Sequence, residues 1–174
     1  CALPIFIGAL DIYSSWSTGM AFWKEDFDKI SHDTTFNALF PHTTILFNER
    51  HRGRYIIDDT NLLDEFPQGK VPKGKYNFFY AFAVEYPLLL LELVKDKDLD
   101  IKTFLKIKKS ILKFCSNLSL NFFVLKHYCS YDLKNFNSSI RVFFSKKEII
   151  FYMIYYILKR SLYKIVCFLK IKGC

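Results

Sequence analysis

Apolar positions in the first third of the chain keep no single period. Over residues 12–46, Trp16, Met20, Phe22, Trp23 and Phe27 recur at neither 2 nor 3.6, and turn or cap residues crowd between them (SSWSTG, SHDTT, FPHTT). This stretch is expected to be irregular, with one short helix within 22–30. Residues 43–47 (TTILF) are β-branched and apolar and read as a strand, and 54–57 (RYII) read as a second, with Gly53 at the turn between them. Three turn signals follow, Asp58-Asp59, Pro67-Gln68-Gly69 and Pro72-Lys73-Gly74, and the last two bracket Lys70-Val71 as an edge loop. Residues 75–84 (KYNFFYAFAV) are aromatic or apolar almost throughout and follow a Pro-x-Gly turn, which predicts the strongest strand of the chain. Residues 88–94 are its expected hairpin partner across Glu85-Tyr86-Pro87. A buried helix fits the same run, and periodicity leaves the two open there.

A different rhythm begins near residue 100. Ile101, Phe104, Leu105, Ile111, Leu112 and Cys115 form an i, i+3, i+4 stripe with Lys108 intruding and lysines on the other face, behind Asp98 and Asp100 as candidate N-caps. The expected fold class is therefore mainly β: a truncated, β-sandwich-like domain over residues 6–100, followed by a helical, basic C-terminal extension over 101–174.

Composition divides the chain near the same place. Residues 1–87 hold all five prolines and eight Lys/Arg against eleven Asp/Glu, whereas 88–174 hold none and seventeen against six, so the net charge of +8 comes wholly from the second half. From residue 101 on, 42 of 74 residues are Phe, Ile, Lys, Asn or Tyr, the set whose codons need only A and T, and Gly173 is the sole glycine or proline. Two readings follow: a basic, aromatic tail selected for contact with anionic surfaces, or read-through of AT-rich DNA never selected as protein. Residues 1–5 (CALPI) match a translated sequencing-adapter end and are expected to be a scar, with the N-terminus truncated behind it. The run 77–94 would place Glu85 and Glu92 in a bilayer, which argues against a span. Residues 149–158 make an apolar decad between Lys146-Lys147 and Lys159-Arg160, too short to cross a bilayer and suited to lying on one.

Candidate chemistry is sparse. His32-Asp33 lacks the further ligands a metal site needs; Glu49 and His51 share a strand face near His42, but Arg50, Arg52 and Arg54 would repel a cation. Asp58-Asp59 and Asp64-Glu65 read as solvated turns, and the four cysteines after residue 100 show neither a CxxC nor zinc spacing. No catalytic residue, cofactor or metal is expected. Arg50, Arg52, Arg54, Lys73 and Lys75 form a candidate anion patch suited to lipid headgroups. Only Tyr55 and Tyr76 interleave with it, which excludes nucleic acid as the expected partner.

Residues 52–82 (RGRYIIDDTNLLDEFPQGKVPKGKYNFFYAF) resemble the central stretch of the secreted ML-type lipid-recognition family, in its divergent chemosensory branch. Gly53, Tyr55, Phe66, Pro67, Pro72, Gly74 and Tyr76 carry the likeness; Asn48-Glu49 stands where that family has a Cys-Pro pair. The resemblance implies a β-sandwich that binds a lipid or small hydrophobic ligand without catalysis, here lined by Tyr55, Tyr76, Phe78, Phe79 and Phe82, in a secreted or membrane-associated protein. A second likeness, through Phe66-Pro67, Val71-Pro72, Pro87 and the stretch 95–98 (KDKD), is to the region around the second membrane helix of type-2 phosphatidic acid phosphatases, without their catalytic motifs. A third expectation is a partial or mis-translated frame with no function as a whole.

Overall fold

The computed structural model describes residues 2–15, 21–31, 33–48, 55–57 and 76–172. Among them no strand occurs, and regular structure is helical: α1 (Leu3–Leu10), α2 (Lys24–Phe27), α3 (Pro41–Asn48), α4 (Phe78–Tyr80), α5 (Tyr86–Lys95), α6 (Ile101–Ser119), α7 (Phe136–Phe143) and α8 (Lys146–Lys172). The β-type pairing among these residues is one isolated parallel bridge, Asn77 with Asp132. The expected mainly β, sandwich-like domain is therefore corrected to a helical one.

Two stretches read as strands fold as helices for identifiable reasons. In α3, Asn37 Oδ1 accepts from the N–H groups of Leu39 and Phe40 ahead of Pro41, whose missing N–H costs nothing in a first turn. Thr43, Leu46 and Phe47 are then buried together, an i, i+3, i+4 set that outweighs the β-branched content of 43–47. In the run 77–94, Asn77 Oδ1 accepts from the Tyr80 N–H and opens α4. Tyr86, Leu90 and Leu93 are buried at a helical spacing in the first unit, and Phe78, Phe79, Ala81, Phe82, Ala83 and Val84 are all buried in the second. Pro87 brings no N–H to the upstream carbonyls, and residues Ala81–Glu85 are wound as a π segment that leads into α5. The helical alternative for this run is the one realised, and Glu85-Tyr86-Pro87 is not a turn.

The chain divides into two compact units, one of residues 1–74 and 85–110, the other of 75–84 and 111–174. In the first, α1 ends at Asp11, which takes φ 56°, ψ −132°. The Lys106 ammonium donates to the Gly8 carbonyl at 2.6 Å, where the helix dipole is negative. Gly8 lies close to Thr103: a Cβ there would meet Thr103 Cγ2 at 3.4 Å. Asp100 caps α6, its carboxylate accepting from the Thr103 N–H and hydroxyl, as its position before the stripe predicts; these bonds hold its carboxyl below the usual range. The short helix expected within 22–30 is α2.

In the second unit, Ser145 and Glu148 form a reciprocal capping box at the start of α8: the Ser145 N–H and hydroxyl donate to Glu148 Oε2, and the Glu148 N–H donates to Ser145 Oγ. The Asn77 bridge is reinforced by Asn77 Nδ2 donating to the Lys134 carbonyl at 2.7 Å.

Candidate functional site

Four of the residues proposed from sequence to line a ligand fall in one aromatic cluster of the second unit. Phe78 contacts Phe79, Phe82, Phe114, Tyr131 and Tyr76, with centroids 4.7–6.3 Å apart. Phe79 is fully buried against Phe123 and Phe136, and Phe82 packs edge-on to Phe114. Each ring lies against other rings of the cluster, the geometry of a packed core. Burial first, and then the neighbouring Tyr131, raise the Tyr76 phenol above its usual range. Tyr55 belongs to the first unit, where its ring packs at a tilt against Phe6, centroids 4.8 Å apart, and its hydroxyl donates to the Leu46 carbonyl. Arg50, Arg52, Arg54, Lys73 and Lys75 lie outside the described residues, as do His32, His51 and most of the stretch 52–82. His42 Nε2 lies 2.7 Å from the Ser15 carbonyl, and no group of three metal-binding side chains occurs among the described residues.

The first unit also holds a knot of buried hydroxyls. Ser14 and Tyr86 share a short hydrogen bond, Ser14 Oγ donates to the Asp11 carbonyl, and the Ser110 hydroxyl donates to Asp11 Oδ2. Burial keeps the Tyr86 phenol protonated far into alkali. Ser14, Tyr86 and Ser110 are bonded within this knot, and among the described residues Asp11 Oδ1 is buried without a hydrogen-bond partner.

The feature that stands apart from both cores is the outward face of α8. Ile149 is buried, Met153, Tyr156 and Arg160 are half-buried, and these four recur at helical spacing on the inner side. Arg160 Nη2 donates to Asn117 Oδ1 and Asn121 Oδ1, each at 2.8 Å, which fixes that side. The opposite side carries Ile150, Phe151, Ile154, Tyr155, Leu158 and Leu162, all exposed, Phe151 by 65% and Leu162 by 62%. Lys146 and Lys147 are exposed at its N-terminal end and Lys159 along its edge, and Glu148, the one acid of α8, is engaged in the cap. At about 1.5 Å per residue this helix is roughly 40 Å long. No described helix is long and apolar enough to cross a membrane.

The apolar decad 149–158 was visible as a contiguous run. Leu162 and Val166 were missed because Lys159-Arg160 interrupts that run; the spacing 154, 158, 162 carries the stripe past them and would have found both. No family model, curated protein or solved structure matches this chain.

Proposed function

We propose that this protein is a non-enzymatic, peripheral binder of anionic lipid surfaces, and that it docks through the outward face of α8. The observation that carries this reading is an apolar face of about four turns left exposed beside Lys146, Lys147 and Lys159. Monomeric soluble proteins rarely leave a contiguous face of this size uncovered, and basic residues around it favour an anionic headgroup layer over a neutral partner. A helix with lysines beside aromatic and aliphatic residues lies in the interfacial plane, with its apolar side sunk to the acyl boundary. Tyr155 and Phe151 suit that depth, since aromatic rings collect there. Lipid contact is thus placed on a surface, and the cavity between two sheets is not part of the reading.

The test is flotation of the full chain with vesicles of phosphatidylcholine, with and without phosphatidylserine. Binding is expected only with phosphatidylserine, weakening as salt is raised. The double variant Ile154→Glu, Leu158→Glu places two charges on exposed positions and is expected to abolish binding with an unchanged circular-dichroism spectrum. Equal binding by this variant, or no binding by the native chain, refutes the reading.

A further inference from the structure

We infer that Ser161 is a phosphorylation site that releases α8 from the lipid surface; this rests on the membrane reading above. Ser161 is exposed, and by helical register it lies beside Ile154 and Leu158, on the face that would enter the interface. It is the one aliphatic hydroxyl within α8. Lys159 and Arg160 precede it and Lys164 follows, so the segment presents cations to the acidic substrate groove of a basic-directed protein kinase.

Access is supplied by the exposure of the turn that carries Ser161. Arg160 is the last described side chain of α8 that turns inward; Ser161, Leu162, Tyr163 and Val166 are all exposed. Exposed side chains resist local opening less than buried ones, so the turn that carries Ser161 can open into the extended form a kinase reads. In the transfer, Ser161 Oγ attacks the γ-phosphorus of a nucleoside triphosphate, the bond to the bridging oxygen breaks, the nucleoside diphosphate leaves and the hydroxyl proton passes to the kinase base. The phosphate adds nearly two negative charges. On this face those charges meet anionic headgroups and would have to be stripped of water beside Leu158 and Leu162, whereas the inner side of α8, with Ile149, Met153 and Arg160, is untouched.

The test uses the full chain with phosphatidylserine vesicles, native and after incubation with ATP and a basic-directed serine kinase. Mass spectrometry is expected to place one phosphate on Ser161, and the modified chain to bind about 30-fold more weakly. Ser161→Glu, with one charge, is expected to bind about fivefold more weakly, and Ser161→Ala within about twofold of native. Phosphate on other residues only, or Ser161→Glu binding like the native chain, overturns the inference while leaving the membrane reading intact. Failure of the unmodified native chain to bind overturns both.

Discussion

Arg160 and Asn117 are joined by a hydrogen bond of 2.8 Å from the guanidinium to the amide oxygen, and the same Nη2 reaches Asn121 one turn further along the chain. Among the described side chains of α8 this makes Arg160 the inward cation, while the lysines at 146, 147 and 159 are exposed. Arg160→Ala leaves both amide oxygens without that donor and is expected to destabilise the chain by about 1–3 kcal/mol. Arg160→Lys is expected to recover only part of this, since an ammonium does not reproduce the planar fork. Urea denaturation followed by circular dichroism measures both; an unchanged midpoint in the alanine variant would contradict the role assigned to the pair.

The ring cluster gives the largest expected loss. Phe79 is fully buried against Phe78, Phe123 and Phe136, so Phe79→Ala removes a whole ring from a packed site and is expected to cost about 3–5 kcal/mol, with Phe79→Leu nearer the low end. The same denaturation series decides it. A loss below about 1 kcal/mol would mean that these rings are loosely packed and open to a ligand.

Alkali should act through Cys115 before it acts through the tyrosines. Complete burial pushes the Cys115 thiol up to about 12 from an ordinary 9.0. Above pH 9 the unfolded chain gives up a proton that the folded chain keeps, so stability is whole below pH 9 and falls as pH rises towards 12. Tyr86, held protonated by burial, adds the same sign of dependence above 10.0. Cys115→Ala is expected to flatten the slope that begins at pH 9, at the cost of a small cavity. Thermal melts between pH 8 and pH 11 take in the onset at pH 9 and measure the slope; an identical slope in native and variant chains would refute it.

The anionic preference should scale with the exposed lysines. Replacing Lys146, Lys147 and Lys159 by Gln is expected to weaken binding to phosphatidylserine vesicles by about fivefold per residue and to flatten the salt dependence. A triple variant that floats as well as the native chain would show that apolar burial alone drives the contact.

How legible was this in the sequence? The α6 helix and its Asp100 cap were readable because amphipathic spacing and a capping carboxylate are local signals; of the expected stripe Phe104, Ile111, Leu112 and Cys115 are buried, whereas Ile101 and Leu105 are exposed and Ile107, outside it, is buried. The 77–94 run was not, because it is apolar on every side: Phe78, Phe79, Ala81, Phe82, Ala83 and Val84 are all buried, and a helical period shows only in the burial of Tyr86, Leu90 and Leu93. Pro87 seemed to end an element, yet the π segment lets it sit at the start of α5. Thr43 to Phe47 misled through β-branching, a weak preference that the Asn37 cap and three inward side chains overcame. As for the candidate surface, an apolar decad beside lysines could be read, but exposure is a tertiary fact, and no pattern of residues states which side of a helix stays bare.

The way the two units are assembled bears on where the chain can be cut. Composition changes at about residue 100, yet the first unit takes in residues 85–110 and the second takes in 75–84. Lys106 on the Gly8 carbonyl and Ser110 on Asp11 are stitches made by the AT-rich half into the opening helix. A chain ended at Asp100 would lose both stitches together with Phe104 and Ile107 from the core, and would strand residues 75–84 without their unit. Such a fragment is expected to be protease-sensitive from end to end, so the segment that looks most like an appendage in the sequence is the one the opening segment cannot fold without.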